Sequence, residues 1–166
     1  PLEGEEVLLT DAVLSGNEKE LGIFALAQVM NHLATRGAKT VGVAVRILLP
    51  PYAYESRLKA MMEHIEATGS ARGVQVLSAK AEVSTAVSQA IVMMQGVGRV
   101  KKEALISSAD AKEDRDIVLL GQIGLEGTLR ILNEKEEELS KRFVPTFLHQ
   151  IRERQQLLVV SDAIKE

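Results

Sequence analysis

The sequence has no cysteine and no tryptophan, and among its 166 residues only three phenylalanines and two tyrosines. The missing cysteines exclude disulfides and thiolate metal sites and fit a reducing, cytoplasmic setting. The three histidines, His32, His64 and His149, stand far apart with no ligand spacing. No apolar run reaches the ~20 residues that a membrane helix needs. The net charge of −3, with both signs interspersed, leaves no basic footprint for nucleic acid. With so few rings, a core must come from Val, Ile, Leu, Ala and Met, and a partner subunit is expected to supply part of the missing burial. No signal peptide is legible. Pro1 stands where a methionine would and a strand follows almost at once, so further chain upstream is expected.

What is present is ordinary for a globular protein: 46% apolar and 26% charged residues. Glu6–Val13 reads as a strand, and Ser15-Gly16-Asn17 as a turn. From Glu18 to Thr35, Ile23, Leu26, Ala27, Met30 and Ala34 recur at helical spacing. Asn17 is the expected N-cap, Glu18 and Glu20 fall in the first turn, and Arg36-Gly37 is the stop. Thr40–Leu49 is almost continuously apolar, a strand covered on both faces or set in an oligomer interface. Its exception, Arg46, is either an edge arginine that snorkels or an anion-binding side chain.

Pro50-Pro51 ends that strand, and Tyr54–Thr68 reads as a second helix with Leu58, Met61, Met62 and Ile65 as its stripe, closed by Gly69–Gly73. His64 reads as a solvated helix residue. Val74–Leu77 and Ala90–Val97 are two further strands, joined by a small-residue connection that holds Glu82. The order strand, helix, strand, helix, strand, strand predicts an α+β layer with both helices on one face of a sheet. After Arg99 the composition changes. Residues 101–115 are polar and read as a linker, and Asp116–Gly121 as a fifth strand. A turn then leads into a helix that runs to Ser140, with EKEEE on its solvated face, and Pro145 opens another helix. The apolar run Leu157–Val160 lies near the end, so a second domain is expected to be incomplete here, or these residues to dock on a neighbour.

Four places are candidates for chemistry. Asp11 ends the first strand as read here, as a ligand contact or as a cap. Asn31, beside the buried stripe, is a ligand contact or a plain helix-end residue. Glu82, a lone carboxylate among small residues, is a magnesium ligand or a loop acid. Gly121–Thr128 combines a strand, a glycine-containing turn with Gly124 and Gly127, and a helix start at Thr128, the arrangement that binds phosphate on backbone N–H groups. It has no lysine, and Glu126 would oppose an anion.

The run Asn31–Pro50, NHLATRGAKTVGVAVRILLP, resembles the Asn-Asp-(Leu/Ile)-Ala-x-x-Gly-Ala run of the AIR synthase-related family, the PurM-like ATP-binding superfamily. IGLEGT at Ile123–Thr128, the following EKEEELSKRF and the LLVVSDA tail are similar to its HypE-like branch. The resemblance implies a PurM N-terminal-like domain over residues 1–100, a β-α-β-α-β-β sheet that dimerises into a barrel. It also implies a linker at 101–115 and the incomplete start of a C-terminal-like domain over 116–166. It implies ATP and Mg2+, with Asp11 and Glu82 as metal contacts and Asn31, Gly124, Gly127 and Thr128 beside the nucleotide. The usual reaction would be transfer of a γ-phosphoryl group to an amide-like oxygen.

The chain departs from that pattern. His32 replaces the acid, the second residue of the Asn-Asp pair. Ser78-Ala79-Lys80-Ala81-Glu82 stands where the family has Gly-Gly-(His/Asp)-Thr-Glu, and only Glu82 remains. The family's glycine-rich N-terminal segment has no counterpart. The resemblance therefore implies a degenerate nucleotide site. It leaves two functions open: weak Mg-ATP binding, or a non-catalytic dimerisation or scaffold module.

Overall fold

The computed structural model describes residues 3–17, 19–161 and 163–165. Four strands and two helices form its α+β layer. They are β1 (Glu5–Gly16), α1 (Leu21–Thr35), β2 (Lys39–Leu49), α2 (Glu55–Ser70), β3 (Gln75–Val83) and β4 (Ala90–Lys101). The sheet order is β1-β4-β2-β3. β4 runs antiparallel to both β1 and β2, and β3 is parallel to β2. α1 lies across β1, β4 and β2, and α2 packs beside α1 along β3, so both helices cover one face as the element order predicts.

Alternation along the strands sets the two faces. On β4, Ala90, Val92, Met94, Gly96, Gly98 and Val100 are buried against the helices, and the odd-numbered positions face away. Val43, Val45, Ile47 and Leu49 of β2 join the same core, which Leu26, Val29, Leu33, Met61 and Ile65 complete from the helices. Glycine on β4 sets how closely α1 approaches: a Cβ on Gly96 would overlap Val29, and one on Gly98 would stand 2.9 Å from Leu33. Gly37 ends α1 at φ +76°, the left-handed stop that Arg36-Gly37 predicts.

Several boundaries differ from expectation, each for a local reason. β1 extends through Ser15 and Gly16 because Gly16 still pairs with Ala90, so these two residues are strand rather than turn. α1 therefore begins at Leu21. Glu20, not Asn17, occupies the N-cap, with no side-chain cap and no acid in the first turn. Glu18 lies outside the described residues. β3 does not stop at Leu77: Ser78–Val83 pair with Ala44–Leu49, so the small-residue connection is an edge strand. Alanine, Lys80 and Glu82 suit such a position, because charge on a solvated edge discourages further pairing. β4 likewise continues past Val97 to Lys101. His64 is half-buried rather than solvated, and its Nδ1 has no hydrogen-bond partner among the described residues.

The chain beyond Lys101 departs furthest. Asp116–Gly121 is not a strand: no neighbouring strand offers a ladder, and Ile117 and Val118 are 99% and 76% exposed. An extended run without a paired neighbour has nothing to hold it as a strand. Among the described residues three α-helices follow, α3 (Leu125–Glu134), α4 (Glu136–Ser140) and α5 (Pro145–Glu153), so the helix expected to reach Ser140 breaks at Lys135. Pro145 stands at the first turn of α5, as expected.

α3 packs on α1, and α5 packs against the cluster they form. Phe24, Leu125 and Leu129 form a second buried cluster, with Leu14, Ile151 and Leu158 packed against it. That contact is why α1 is apolar nearly all round, well beyond its single predicted stripe. The run near the end docks on its own chain: Leu158 joins this cluster and Val159 the main core. Among the described residues no helix is long and apolar enough to cross a membrane.

Candidate functional site: the open sheet face and the α1 strip

The face of the sheet away from the helices is uncovered. Its rows follow from register. Asp11, Gln95, Ala44 and Ser78 lie side by side from β1 to β3, and Val13, Met93, Arg46 and Lys80 form the next row. Together they line a shallow depression of about 460 Å³. The surface is largely apolar: Val7, Leu9 and Val13 on β1 are 46%, 59% and 60% exposed, although a strand core would bury such side chains. Asp11 stands mid-strand in β1 rather than at its end.

Charge on this face is unevenly placed. Glu82 accepts a salt bridge from Lys80 at 2.7 Å and a longer one from Arg46 at 3.4 Å. The hydrogen bond and charge of Lys80, followed by the charge of Arg46, hold the Glu82 carboxyl below its ordinary range. Lys80 and Glu82 are two apart on one strand and so share a face, and Arg46 is the register partner of Lys80. Arg46 thus snorkels to a carboxylate. Further along, Arg99 pairs with Glu5, its Nε donating at 2.9 Å. Asp11 has no ion-pair or hydrogen-bond partner among the described residues.

The other candidates sit on the far side of the helical layer. Asn31 uses both ends of its amide on the chain's own tail: Nδ2 donates to the Leu158 carbonyl at 2.8 Å, and Oδ1 accepts from the Val160 N–H at 2.9 Å. His32 beside it is exposed. Gly124 is the N-cap of α3 at φ +76°, and Thr128 donates through Oγ1 to the Gly124 carbonyl at 2.9 Å while its N–H bonds the same oxygen. Glu126, in the first turn of α3, accepts from Gln28 of α1 at 3.0 and 3.2 Å. Asn133 donates to Glu20 at 3.3 Å. Glu20, Phe24, Gln28 and Asn31 thus form one strip of α1, spaced by four, four and three residues, that seats the C-terminal helices and tail. Sequence reasoning found Asn31 but missed this strip. Its signal was available, because Phe24 and Gln28 fall outside the predicted stripe at helical spacing from Asn31.

The structure therefore separates the residues that the resemblance draws together. Asp11 and Glu82 lie three strand spacings and four residues apart, about 19 Å on a flat sheet. A magnesium ion, with oxygen ligands at about 2.1 Å, cannot touch both. Among the described residues no group of three or more His, Cys, Asp or Glu could hold a metal. Asn31, Gly124, Gly127 and Thr128 belong to the α1–α3 side. Within one chain, then, no single ion joins Asp11 to Glu82.

No family model matches the chain. Among curated proteins it is similar to one named as a hydrogenase expression/formation protein of Methanocaldococcus jannaschii. The two are 26% identical over 117 residues, 70% of this chain and 35% of that protein. Among solved structures, AaThiL complexed with AMPPCP and TMP superposes with a TM-score of 0.70 at 17% identity, over 99% of this chain and 53% of that one. E. coli HypE, a hydrogenase maturation protein, gives 0.66 at 20% identity, over 81% and 44%. The chain thus spans about a third of the curated relative and about half of the two structures. In sequence the chain is thus similar to that hydrogenase expression/formation protein, and its fold is that of the PurM-like domains of ThiL and HypE.

Proposed function

We propose that this chain is a dimerisation module of PurM-like fold, cytoplasmic, that binds Mg-ATP weakly or not at all in this form. The observation that carries the reading is the open sheet face. Four strands leave Val7, Leu9 and Val13 exposed, with Ile91, Met93 and Val97 half-covered beside them. The face measures about 19 Å across and 30 Å along the strands, close to 600 Å² in projection, near the scale of a standard interface. Two such faces pressed together form the barrel that the resemblance implies.

The weak nucleotide site has separate support. Asn31 is engaged by the tail, Glu82 by two cations, and Glu126 places an acid at the α3 N-terminus. Light scattering at micromolar protein tests the dimer, and a monodisperse monomer would refute it. Titration calorimetry with a non-hydrolysable ATP analogue and magnesium tests the nucleotide: no heat is expected at micromolar ligand.

A second reading keeps Mg-ATP on Asp11, Asn31, Glu82, Gly124, Gly127 and Thr128, with the ion on Asp11 or Glu82 and the remaining ligands drawn from a second copy. Its support is the glycine-bearing start of α3 and the structural likeness to a nucleotide-complexed protein. Saturable heat at micromolar nucleotide, lost in Asp11→Asn, would establish it.

A further inference from the structure

We propose that Asp11 is an interface acid, and that in the dimer it pairs with Arg46 and Lys80 of the second copy and so fixes how the two sheets are turned. This rests on the dimer reading above and adds the contact that orients it.

In the rows of Asp11 and Arg46 the open face carries a charge gradient from edge to edge. On β1, Glu5 is paired with Arg99 and Asp11 is unpaired among the described residues; Lys39 and Lys101 share this face at its far end, in the Arg99 and Glu5 rows, two and three rows from Asp11. On the β2–β3 side, Arg46 and Lys80 share the single carboxylate Glu82, leaving one positive charge. Gln95 and Met93 lie between, with no charge of their own. A face that is negative at one edge and positive at the other complements a copy of itself only in some orientations.

Two kinds of two-fold axis lie in the plane between two packed sheets. An axis across the strands sets β1 over β1 of the second copy and brings two unpaired Asp11 carboxylates to the same edge. An axis along the strands sets β1 over β3 of the second copy and keeps the height of each row. The Asp11 row is the Ser78 row, and Lys80 with Arg46 forms the next. The second axis therefore brings Asp11 to the cations, and two-fold symmetry makes the contact twice. An apolar surround of Leu9, Val13 and Met93 removes water from the pair, and desolvated interface pairs couple far more strongly than exposed ones.

Charge reversal tests the contact. In Asp11→Lys, the introduced ammonium faces two cations at both contacts of the homodimer. In the double variant Arg46→Glu with Lys80→Glu, Asp11 faces two acids. Each alone is expected to raise the dimer dissociation constant at least tenfold by sedimentation, with an unchanged far-UV circular dichroism spectrum. In a 1:1 mixture both contacts become attractive again, so a heterodimer near wild-type affinity is expected.

A mixture that stays monomeric, or single variants that dimerise like the wild type, would overturn the pairing while leaving the dimer. A monomeric wild type would overturn the dimer reading itself. Should a reversal fail to fold, the wild type and Asp11→Asn decide between them. A wild-type dimer weakened severalfold from 0.05 to 0.5 M NaCl, with a flatter salt response in Asp11→Asn, supports the pair, and equal salt response refutes it. A dimer that forms only with added Mg2+, and not in Asp11→Asn, would return Asp11 to a metal role.

Discussion

At the scale of single residues, the Glu82 carboxylate is the most informative. Glu82 sits on a solvated edge strand, yet Lys80 at 2.7 Å and Arg46 at 3.4 Å hold its pKa down. A depressed folded-state pKa contributes stability above the unfolded pKa, and that contribution is lost as pH falls through the folded value. Carbon-detected NMR should therefore find Glu82 titrating below the ordinary glutamate range. Lys80→Met should return it toward the ordinary range, and Arg46→Met should do so less, because Lys80 is the larger cause. Equal shifts in the two variants would reverse that ranking. Asn31 is the second telling residue. Replacing it with Ala leaves the Leu158 carbonyl and the Val160 N–H without a partner. The expected cost is about 1–3 kcal/mol in chemical denaturation, with faster exchange of the Val160 amide.

Among the elements, α1 shows what a sequence reveals and what it hides. Its existence, its Gly37 stop and its sheet-facing residues follow from spacing, because 3.6-residue periodicity records the face that meets the sheet. Its other contacts do not. The Glu20–Asn31 strip meets α3 and the tail more than ninety residues later, and one chain's pattern does not say which distant segment will cover a face. β3 was half legible for a related reason. Val76 and Leu77 read as strand by composition, whereas Ser78–Val83 is strand only because β2 offers it backbone partners. Asp116–Gly121 is the converse, strand-like in composition but without a partner. The candidate residues were legible by type, but their separation across a sheet and a helical layer was not, because distance depends on topology. One element-level outcome follows from β4. In Gly96→Ala the new methyl meets Val29, whose branched side chain has little freedom to turn within a helix. A loss of about 1–3 kcal/mol is expected in urea unfolding, from displacement of α1 off the sheet. An unchanged midpoint would mean that the helix rides further from β4 than described.

For the whole molecule, the two hydrophobic clusters differ in size and in what joins them. The larger one spans all four strands and both covering helices, whereas the smaller is Phe24 with Leu125 and Leu129. Their connection is largely polar: Gln28 to Glu126, Asn133 to Glu20, Arg130 to the Ser15 carbonyl at 2.6 Å, and Asn31 to the tail. Polar contacts at a partly solvated seam contribute less net stability than buried apolar area, and segments with fewer buried contacts open at lower free energy. The segment between, residues 110–124, is exposed throughout, and its Gln122 accepts from Arg154 at 3.3 Å within the C-terminal half. Hydrogen exchange should therefore separate into two tiers. Amides of β2 and β4 should exchange only on global unfolding, and those of α3 and α5 severalfold to many-fold faster through opening of the seam. Leu129→Ala, which removes a fully buried side chain from the small cluster, should speed exchange in α3 and α5 while leaving β2 and β4 in their slow tier. A single tier, with both halves responding alike to Leu129→Ala, would show instead that the C-terminal helices and the sheet open as one cooperative unit.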